Sequence, residues 1–393
     1  MKTTLPKGGK SRTCPYTREN GEVREAAEQL GLAAGMFDEL GIGKILDQVT
    51  HFYCGGEVEE QLSFSCSCFN PIDILNTAFD VVVCQQGFQI SVSGGTAYDT
   101  IASWSTFQHP KCDGGKPMTI HTIAGGGGLQ LAVHEYGQPN GKPILLIHGF
   151  TQCHMAWAKQ YQSNLADTFR LVCIDNRGHG MSEKPTGLEN YTQDDLWADD
   201  IHAIITGLEL RKPILAGWSY GGFIINDYLA KYGQDTVGGV NYVGAAVLMG
   251  VEKAANMFGG GFLDYVEGMC SDNLEENIRA VRPFLRAVFE KQPSQDDFET
   301  LVAFNMYVPP AVRLGLVSRT IDRDDVMKAL TIPVLVTEGE KDGLVLASHT
   351  AHLLSCIAQA KHSLYEGIGH APPMEDTERF NRELAEFARQ HAG

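Results

Sequence analysis

The stretch LAGWSYGGF, residues 215–223, places a serine between glycines and aromatic residues, directly after an apolar run. Gly217, Ser219 and Gly221 fit the pattern G-x-S-x-G. The strand-like run PILA precedes the pattern, and the helix-like run FIINDYLAKY follows it. In this context the serine occupies a strained turn, and small flanking residues let the strand and the helix approach closely. The pattern therefore predicts that Ser219 is a nucleophile at the carboxyl edge of a sheet.

A serine nucleophile needs partners, because its hydroxyl group is weakly reactive near pH 7 without a base and an orienting acid. On a strand–serine–helix turn of this kind, the acid and then the histidine follow the serine along the chain. Asp342 comes just after the apolar run PVLVTEG, and His370 follows LYEG in a loop with glycine and proline. We predict Asp342 as the acid and His370 as the base. Glu252, which follows the run AAVLMG, is a secondary candidate for the acid.

An oxyanion formed at this serine also needs hydrogen-bond donors. We predict the N–H group of Tyr220, at the start of the helix, and the N–H group of Phe150, in the loop of ILLIHGF. We expect His148 to form hydrogen bonds within that loop and to take no catalytic part. Trp157 and Trp218 are candidates for lining a substrate pocket, and packing is the alternative role for each.

From Met118 onward, strand-like runs such as PILLIHG and RLVCIDNRG alternate with stretches of helical spacing. This alternation predicts an α/β fold with a mostly parallel sheet and helices on both faces. The runs ILLI and AAVLM are typical of strands buried on both sides. Residues 252–328 form a long, helix-like interruption between AAVLMG and PVLVTEG, and we interpret it as an inserted lid.

Residues 118–392 resemble the α/β-hydrolase superfamily, in the branch with an HG-aromatic loop, an NRGHGMS segment and a serine elbow. The resemblance implies an eight-stranded sheet interrupted by a helical cap. It divides this part of the chain into a first core segment at 118–251, a cap at 252–328 and a second core segment at 329–393. It also implies a mainly structural role for the NRGHG stretch.

Residues 1–117 look unlike this family, and we interpret them as an atypical extension that is poorly ordered or results from a fusion. Two short amphipathic helices are expected over 22–49. His51, Cys54, Cys66 and Cys68 could suit zinc, but their spacing is irregular, so we expect a chance cluster and no metal. The sequence contains no recognised cofactor motif after Met118, and we expect no cofactor.

Composition limits the kind of protein. The chain of 393 residues is 43% hydrophobic, 20% charged and carries a formal net charge of −17. The acidic balance argues against nucleic acid as a partner, since that would require a basic face. No apolar run approaches about 18 residues, so we expect no membrane span. The ten cysteines, without a signal-like segment, favour reduced thiols and a cytoplasmic protein. The sequence leaves the oligomeric state open.

These observations favour a carboxylesterase that acts on small to medium uncharged esters through an acyl-enzyme. Ser219 argues against the dehalogenases and epoxide hydrolases of this fold, which resemble the chain in the HG loop but have an aspartate at the elbow. A cofactor-free haloperoxidase (perhydrolase) and a carbon–carbon bond hydrolase share the serine, acid and histidine and stay open as alternatives. A hydrolase-fold receptor that senses a small ligand is the alternative from another class.

Overall fold

The computed structural model describes residues 118–393 and, nearer the N-terminus, the backbone of three strands. These strands are β1 (Leu62–Phe64), β2 (Ala78–Cys84) and β3 (Gly87–Ser93), and they pair antiparallel in that order. The chain divides into two compact units, Met1–Ser103 and Trp104–Gly393. The helices expected over 22–49, the predicted boundary at residue 117 and the candidate zinc ligands lie outside the described residues.

The second unit is built around one large sheet. Its strands, together with a short pair outside the sheet, are β4 (Met118–Ala124), β5 (Gln130–Gly137), β6 (Lys142–Ile147), β7 (Phe169–Ile174), β8 (Ile214–Trp218), β9 (Gly239–Val243), β10 (Leu248–Met249), β11 (Ile321–Asp322), β12 (Val334–Gly339) and β13 (Lys361–Tyr365). Eight of these form the sheet in the order β13-β12-β9-β8-β6-β7-β5-β4. Only the pairs β4–β5 and β5–β7 are antiparallel. The predicted α/β-hydrolase fold class is thus confirmed.

Helices connect and cover these strands. The α-helices of the described part are α1 (Ala158–Tyr161), α2 (Glu189–Thr192), α3 (Asp194–Gly207), α4 (Gly221–Tyr232), α5 (Gly260–Leu263), α6 (Val266–Met269), α7 (Leu274–Ala287), α8 (Gln295–Met306), α9 (Pro310–Val317), α10 (Asp324–Lys328), α11 (Ala347–Cys356), α12 (Pro372–Glu375) and α13 (Thr377–His391). Short 3₁₀ turns occupy Gly126–Gly128, His154–Trp157, Asn164–Asp167 and Glu252–Ala254.

The central strands are buried because helices cover both faces of the sheet. β6 has the sequence KPILLI, and every residue after Lys142 is buried. β8 and β9 are buried along their whole lengths. Continuous apolar runs are characteristic of parallel strands that have no solvated face. This arrangement aligns the carboxyl ends of β6, β8, β12 and β13 at one edge of the sheet.

The prediction for one strand of the sheet was wrong. The run AAVLMG lies outside the large sheet, where Leu248 and Met249 pair antiparallel with β11. The strand between β8 and β12 is instead β9, with the sequence GVNYV, which the apolar pattern did not reveal. Asn241 interrupts its apolar run, and its Oδ1 accepts a hydrogen bond from Thr337 Oγ1 at 3.1 Å. Gly244, with φ +48°, turns the chain out of the sheet directly after β9.

The segment 252–328 lies between β10 and β12 and contains α5 to α10 as well as β11. We call it the cap segment. Phe284 on α7 and Phe262 on α5 pack edge-on against Phe150 of the core, with ring centroids 6.3 and 5.7 Å away. The cap segment therefore contributes aromatic side chains to the carboxyl edge of the sheet.

Within the described residues, no single helix has the length and apolarity needed to cross a membrane. The helices α8 and α9 meet the length and composition requirements only as a pair, and the chain bends by 82° between them.

Candidate active site

Ser219 lies on the sharp turn between β8 and α4, in the left-handed region with φ +56°. The flanking glycines are required for steric reasons. A Cβ on Gly221 would lie 2.6 Å from the backbone oxygen of Ile147, and one on Gly217 would lie 2.6 Å from Ile225 Cδ1. The close packing of strand and helix thus explains the G-x-S-x-G pattern. It leaves Ser219 half-buried on the wall of a cavity.

His370 and Asp342 form a buried pair beside this cavity. The His370 Nδ1 and Asp342 Oδ2 atoms are 2.6 Å apart, and each side chain is only 3% exposed. The other carboxylate oxygen, Oδ1, accepts the N–H groups of Leu344 and Val345 at 2.9 Å each. With Nδ1 engaged by the carboxylate, the imidazole has Nε2 for a second partner. Ser219 and His370 line the same cavity, so the structure brings the predicted nucleophile and base together.

The two predicted oxyanion donors also meet at Ser219. Phe150 and Tyr220 both line the cavity that contains the serine. Within residues 118–393, neither backbone N–H group donates to a protein acceptor. Gly149 lets the loop approach this closely, since a Cβ there would lie 2.9 Å from Ser219 Cβ. The geometry suits a site for a developing oxygen anion.

His148 has a structural role in the oxyanion loop, as expected. Its Nδ1 donates to the carbonyl oxygen of Gly149 at 2.9 Å, and its Nε2 accepts the N–H of Asn176 at 3.0 Å. Burial lowers the pKa of His148 to about 4, so the ring is neutral near pH 7. The neighbouring Arg177 pairs with buried Asp200 through Nε and Oδ2 at 2.7 Å. The NRGHG stretch therefore supports the loop and does not face the cavity.

The two tryptophans predicted as candidate pocket residues do not line the cavity. Trp157 and Trp218 are fully buried, and their rings pack at 5.8 Å between centroids. Trp218 Nε1 donates to the backbone oxygen of His370 at 2.8 Å. Trp157 packs against Phe380 of α13. The structure corrects this part of the prediction, because both side chains lie in the core and Trp218 supports the histidine loop from behind.

Glu252, the secondary candidate for the acid, is exposed at the start of a 3₁₀ turn. The carboxylate that contacts His370 is that of Asp342. Gly244 packs against this pair, since a Cβ on it would lie 3.1 Å from His370 Nδ1 and 3.4 Å from Asp342 Oδ2. The structure therefore favours Asp342 over Glu252.

Most of the cavity wall was not predicted from the sequence. Phe258, Phe262 and Phe284 come from the cap segment, and Leu344 and Val345 follow the acid. An unusual concentration of phenylalanines in an otherwise helical insertion was the available signal. It could not place these side chains, because their positions depend on how the cap segment packs.

Glu375 connects the histidine loop to the cap segment. Its Oε1 accepts the N–H groups of Gly369 and Ala371, which flank His370, at 3.0 and 3.3 Å. Its Oε2 accepts the N–H groups of Glu290 and Lys291 at 3.0 and 2.7 Å. One carboxylate therefore holds two chain segments together beside the base.

We expect Glu375→Gln to lower kcat for an ester about tenfold and to destabilise the fold by about 2 kcal/mol. An amide has one acceptor oxygen, so its NH₂ group must face backbone N–H groups on one side. Steady-state kinetics and thermal unfolding measure the two effects. Glu386→Gln, at an exposed position in the interior of α13, is the matched control and should change neither. A loss of stability with unchanged kcat would contradict the positioning role.

Two groups in residues 118–393 have the side chains of a metal site: His134, His154 and Asp175, and Asp324, His352 and Cys356. In the first group, the oxygens of Asp175 already lie 3.0 and 2.9 Å from ring nitrogens of His134 and His154. In the second, Asp324 pairs with Lys253 at 2.6 Å. Each carboxylate is therefore satisfied by protein partners, and we assign a metal to neither group.

Comparison with known proteins agrees with the fold. Residues 142–377 match the family model of the alpha/beta hydrolase fold, so the chain belongs to this family. An inferred aryl esterase from Burkholderia cenocepacia has 34% sequence identity to this chain and a TM-score of 0.66. The match covers 69% of this chain and 98% of the esterase chain. The esterase RhEst1 from Rhodococcus sp. ECU1013 has 32% identity and a TM-score of 0.66, and the match covers 70% of this chain and 99% of the RhEst1 chain. The non-heme chloroperoxidase CPO-A1 of Kitasatospora aureofaciens is 27% identical over 273 residues, 66% of this chain and 96% of that protein.

Proposed function

We propose that the protein is a carboxylesterase, which hydrolyses uncharged carboxylic esters through an acyl-enzyme on Ser219. The observation that carries the proposal is the placement of Ser219 and His370 on one cavity wall, with Asp342 buried 2.6 Å behind the imidazole. Sequence identity above 30% to two proteins described as esterases supports the proposal.

The reaction begins when Ser219 Oγ attacks the carbonyl carbon and His370 Nε2 takes the hydroxyl proton. Asp342 orients the imidazole and stabilises its positive charge. The N–H groups of Phe150 and Tyr220 donate to the oxygen anion. The ester C–O bond then breaks, and His370 gives its proton to the departing alcohol. Water, deprotonated by His370, then attacks the acyl carbon. The bond from that carbon to Ser219 Oγ breaks, His370 returns the proton to Oγ, and the carboxylic acid is released.

The cavity favours apolar substrates of modest size. Its part beside the oxyanion donors is small, with a volume of about 30 Å³. Apart from Ser219 and Tyr220, the residues that line this part are apolar. A charged acyl group would lose its hydration there without a partner. We therefore expect short and medium acyl chains, including aromatic ones, to be the preferred substrates.

Two measurements test the proposal. Labelling with a fluorophosphonate probe, mapped by peptide mass spectrometry, identifies the nucleophile. Turnover of p-nitrophenyl acetate, butanoate and decanoate tests the preferred acyl length. We expect stoichiometric labelling of Ser219 and turnover that declines toward the longest chain. Labelling at another serine, or none, would overturn the proposal.

Perhydrolysis is a second candidate function, favoured by the 27% identity to a non-heme chloroperoxidase. Here hydrogen peroxide replaces water as the acyl acceptor, and the acyl-enzyme yields a peracid. Ester hydrolysis and peracid formation can be measured on the same acyl donor with and without peroxide. Peracid formation that clearly exceeds hydrolysis would favour the second candidate.

A further inference from the structure

The cavity consists of two lobes that meet at Ser219 and share the side chains of Phe150 and Phe284. The first lobe also contains Phe223, Met249, Phe258, Phe262, Leu344 and Val345. The second lobe also contains Gln152, Leu285, Val288, Leu301, Asn305 and His370. The lobes therefore differ in one respect that matters for catalysis: the base lines only the second.

The position of His370 assigns the lobes to the two halves of an ester. The departing alcohol must receive its proton from His370, so it has to lie against the imidazole when the C–O bond breaks. The second lobe is thus the site of the alcohol part. The acyl chain, attached to the same carbonyl carbon, extends into the first lobe. This assignment rests on the proposed esterase function.

The alcohol lobe contains a hydrogen-bond donor that the protein itself does not use. Gln152 is 7% exposed, and its Oε1 accepts the N–H of Gly149 at 2.8 Å. That contact fixes the orientation of the amide, so Nε2 is the atom directed away from the loop. Within the described part of the chain, Nε2 donates to no protein acceptor. Its partner must therefore come from solvent or from a ligand.

Both polar atoms of the other amide in the lobe have partners in the protein. Asn305 Nδ2 donates to the carbonyl oxygen of Leu301 at 2.8 Å, and its Oδ1 accepts the hydroxyl group of Thr151. The remaining lining residues, apart from Ser219 and His370, are apolar. An apolar alcohol group that displaced water from this lobe would leave the Gln152 donor without a partner, which is unfavourable.

We propose that Gln152 Nε2 donates a hydrogen bond to the alcohol part of the substrate. The preferred substrates are then esters with an apolar acyl chain and an alcohol that carries an acceptor, such as an ether or carbonyl oxygen, near the ester group. Gln152 is a specificity-determining residue in this proposal, because it distinguishes alcohols without moving a proton in the reaction.

Two isosteric esters test the proposal: 2-methoxyethyl butanoate, which has the acceptor, and n-butyl butanoate, which lacks it. We expect wild type to prefer the first in kcat/KM by about tenfold. Gln152→Glu keeps an acceptor for Gly149 but removes the donor, and Gln152→Met removes both. Each should reduce the preference by about 3- to 10-fold. The ratio of the two kcat/KM values within one variant cancels any general loss of rate. Comparing that ratio between a variant and wild type cancels the different acidities of the two alcohols.

The acyl side provides the control pair, butyl 3-methoxypropanoate and butyl pentanoate, whose ratio the variants should leave unchanged. An unchanged alcohol-side ratio would overturn the inference while leaving the esterase function intact. A changed acyl-side ratio would show that the lobes are assigned the wrong way round. Absence of turnover for all four esters, with Ser219 unlabelled by the fluorophosphonate, would overturn the proposed function and the inference together.

Discussion

Replacing Ser219 by alanine is expected to lower kcat for p-nitrophenyl butanoate by about 10⁴- to 10⁶-fold. The substitution removes the only atom that can form the acyl-enzyme in the proposed mechanism, while the oxyanion donors and the cavity stay in place. A residual rate above the uncatalysed reaction is expected from those donors. Stopped-time product assays at high enzyme concentration measure the loss. Circular dichroism and thermal unfolding should match wild type, because alanine removes one hydroxyl from a half-buried position.

Ser355→Ala is the matched control for this change. Ser355 is exposed on α11, and its hydroxyl group donates to the His352 carbonyl oxygen at 2.6 Å. Its loss should leave kcat and KM unchanged. If Ser219→Ala retained more than about one hundredth of the activity, another nucleophile or a directly activated water would have to replace the acyl-enzyme.

The positions of the proposed catalytic residues could be predicted because each has a local signal. Ser219 lies in a pattern that requires glycine at two neighbours, and Asp342 and His370 each follow an apolar strand run. A parallel sheet converts these local signals into proximity, since the carboxyl ends of its strands share an edge. The predicted residues therefore meet although up to 151 positions separate them along the chain.

The parts that could not be predicted depend on long-range packing. β9 carries Asn241 in an apolar run, and the stronger run AAVLMG was assigned to the sheet in its place. Whether a tryptophan lines a cavity or packs in the core also has no local signal, so the sequence left both roles open for Trp157 and Trp218. The role inferred for Gln152 needs the contact with Gly149, which only the folded loop supplies.

Replacing Asp342 by asparagine is expected to lower kcat by about 10⁴-fold with little effect on folding. The reason lies in the two N–H groups, of Leu344 and Val345, that donate to Oδ1. Asparagine keeps its single oxygen there and places its NH₂ group toward His370. The histidine must then accept at Nδ1 and carry its proton on Nε2, so it cannot take the proton of Ser219.

The pH dependence and a control variant separate this mechanism from a loss of structure. At high pH, where hydroxide can assist, Asp342→Asn should recover part of its activity, whereas an unfolded variant should not. Glu252→Gln, at the exposed alternative acid, should retain wild-type kcat because Glu252 does not contact the imidazole. The reverse result, with Glu252→Gln inactive and Asp342→Asn active, would require the cap segment to bring Glu252 to His370 during turnover. That would transfer the role of orienting acid from the end of β12 to the end of β10.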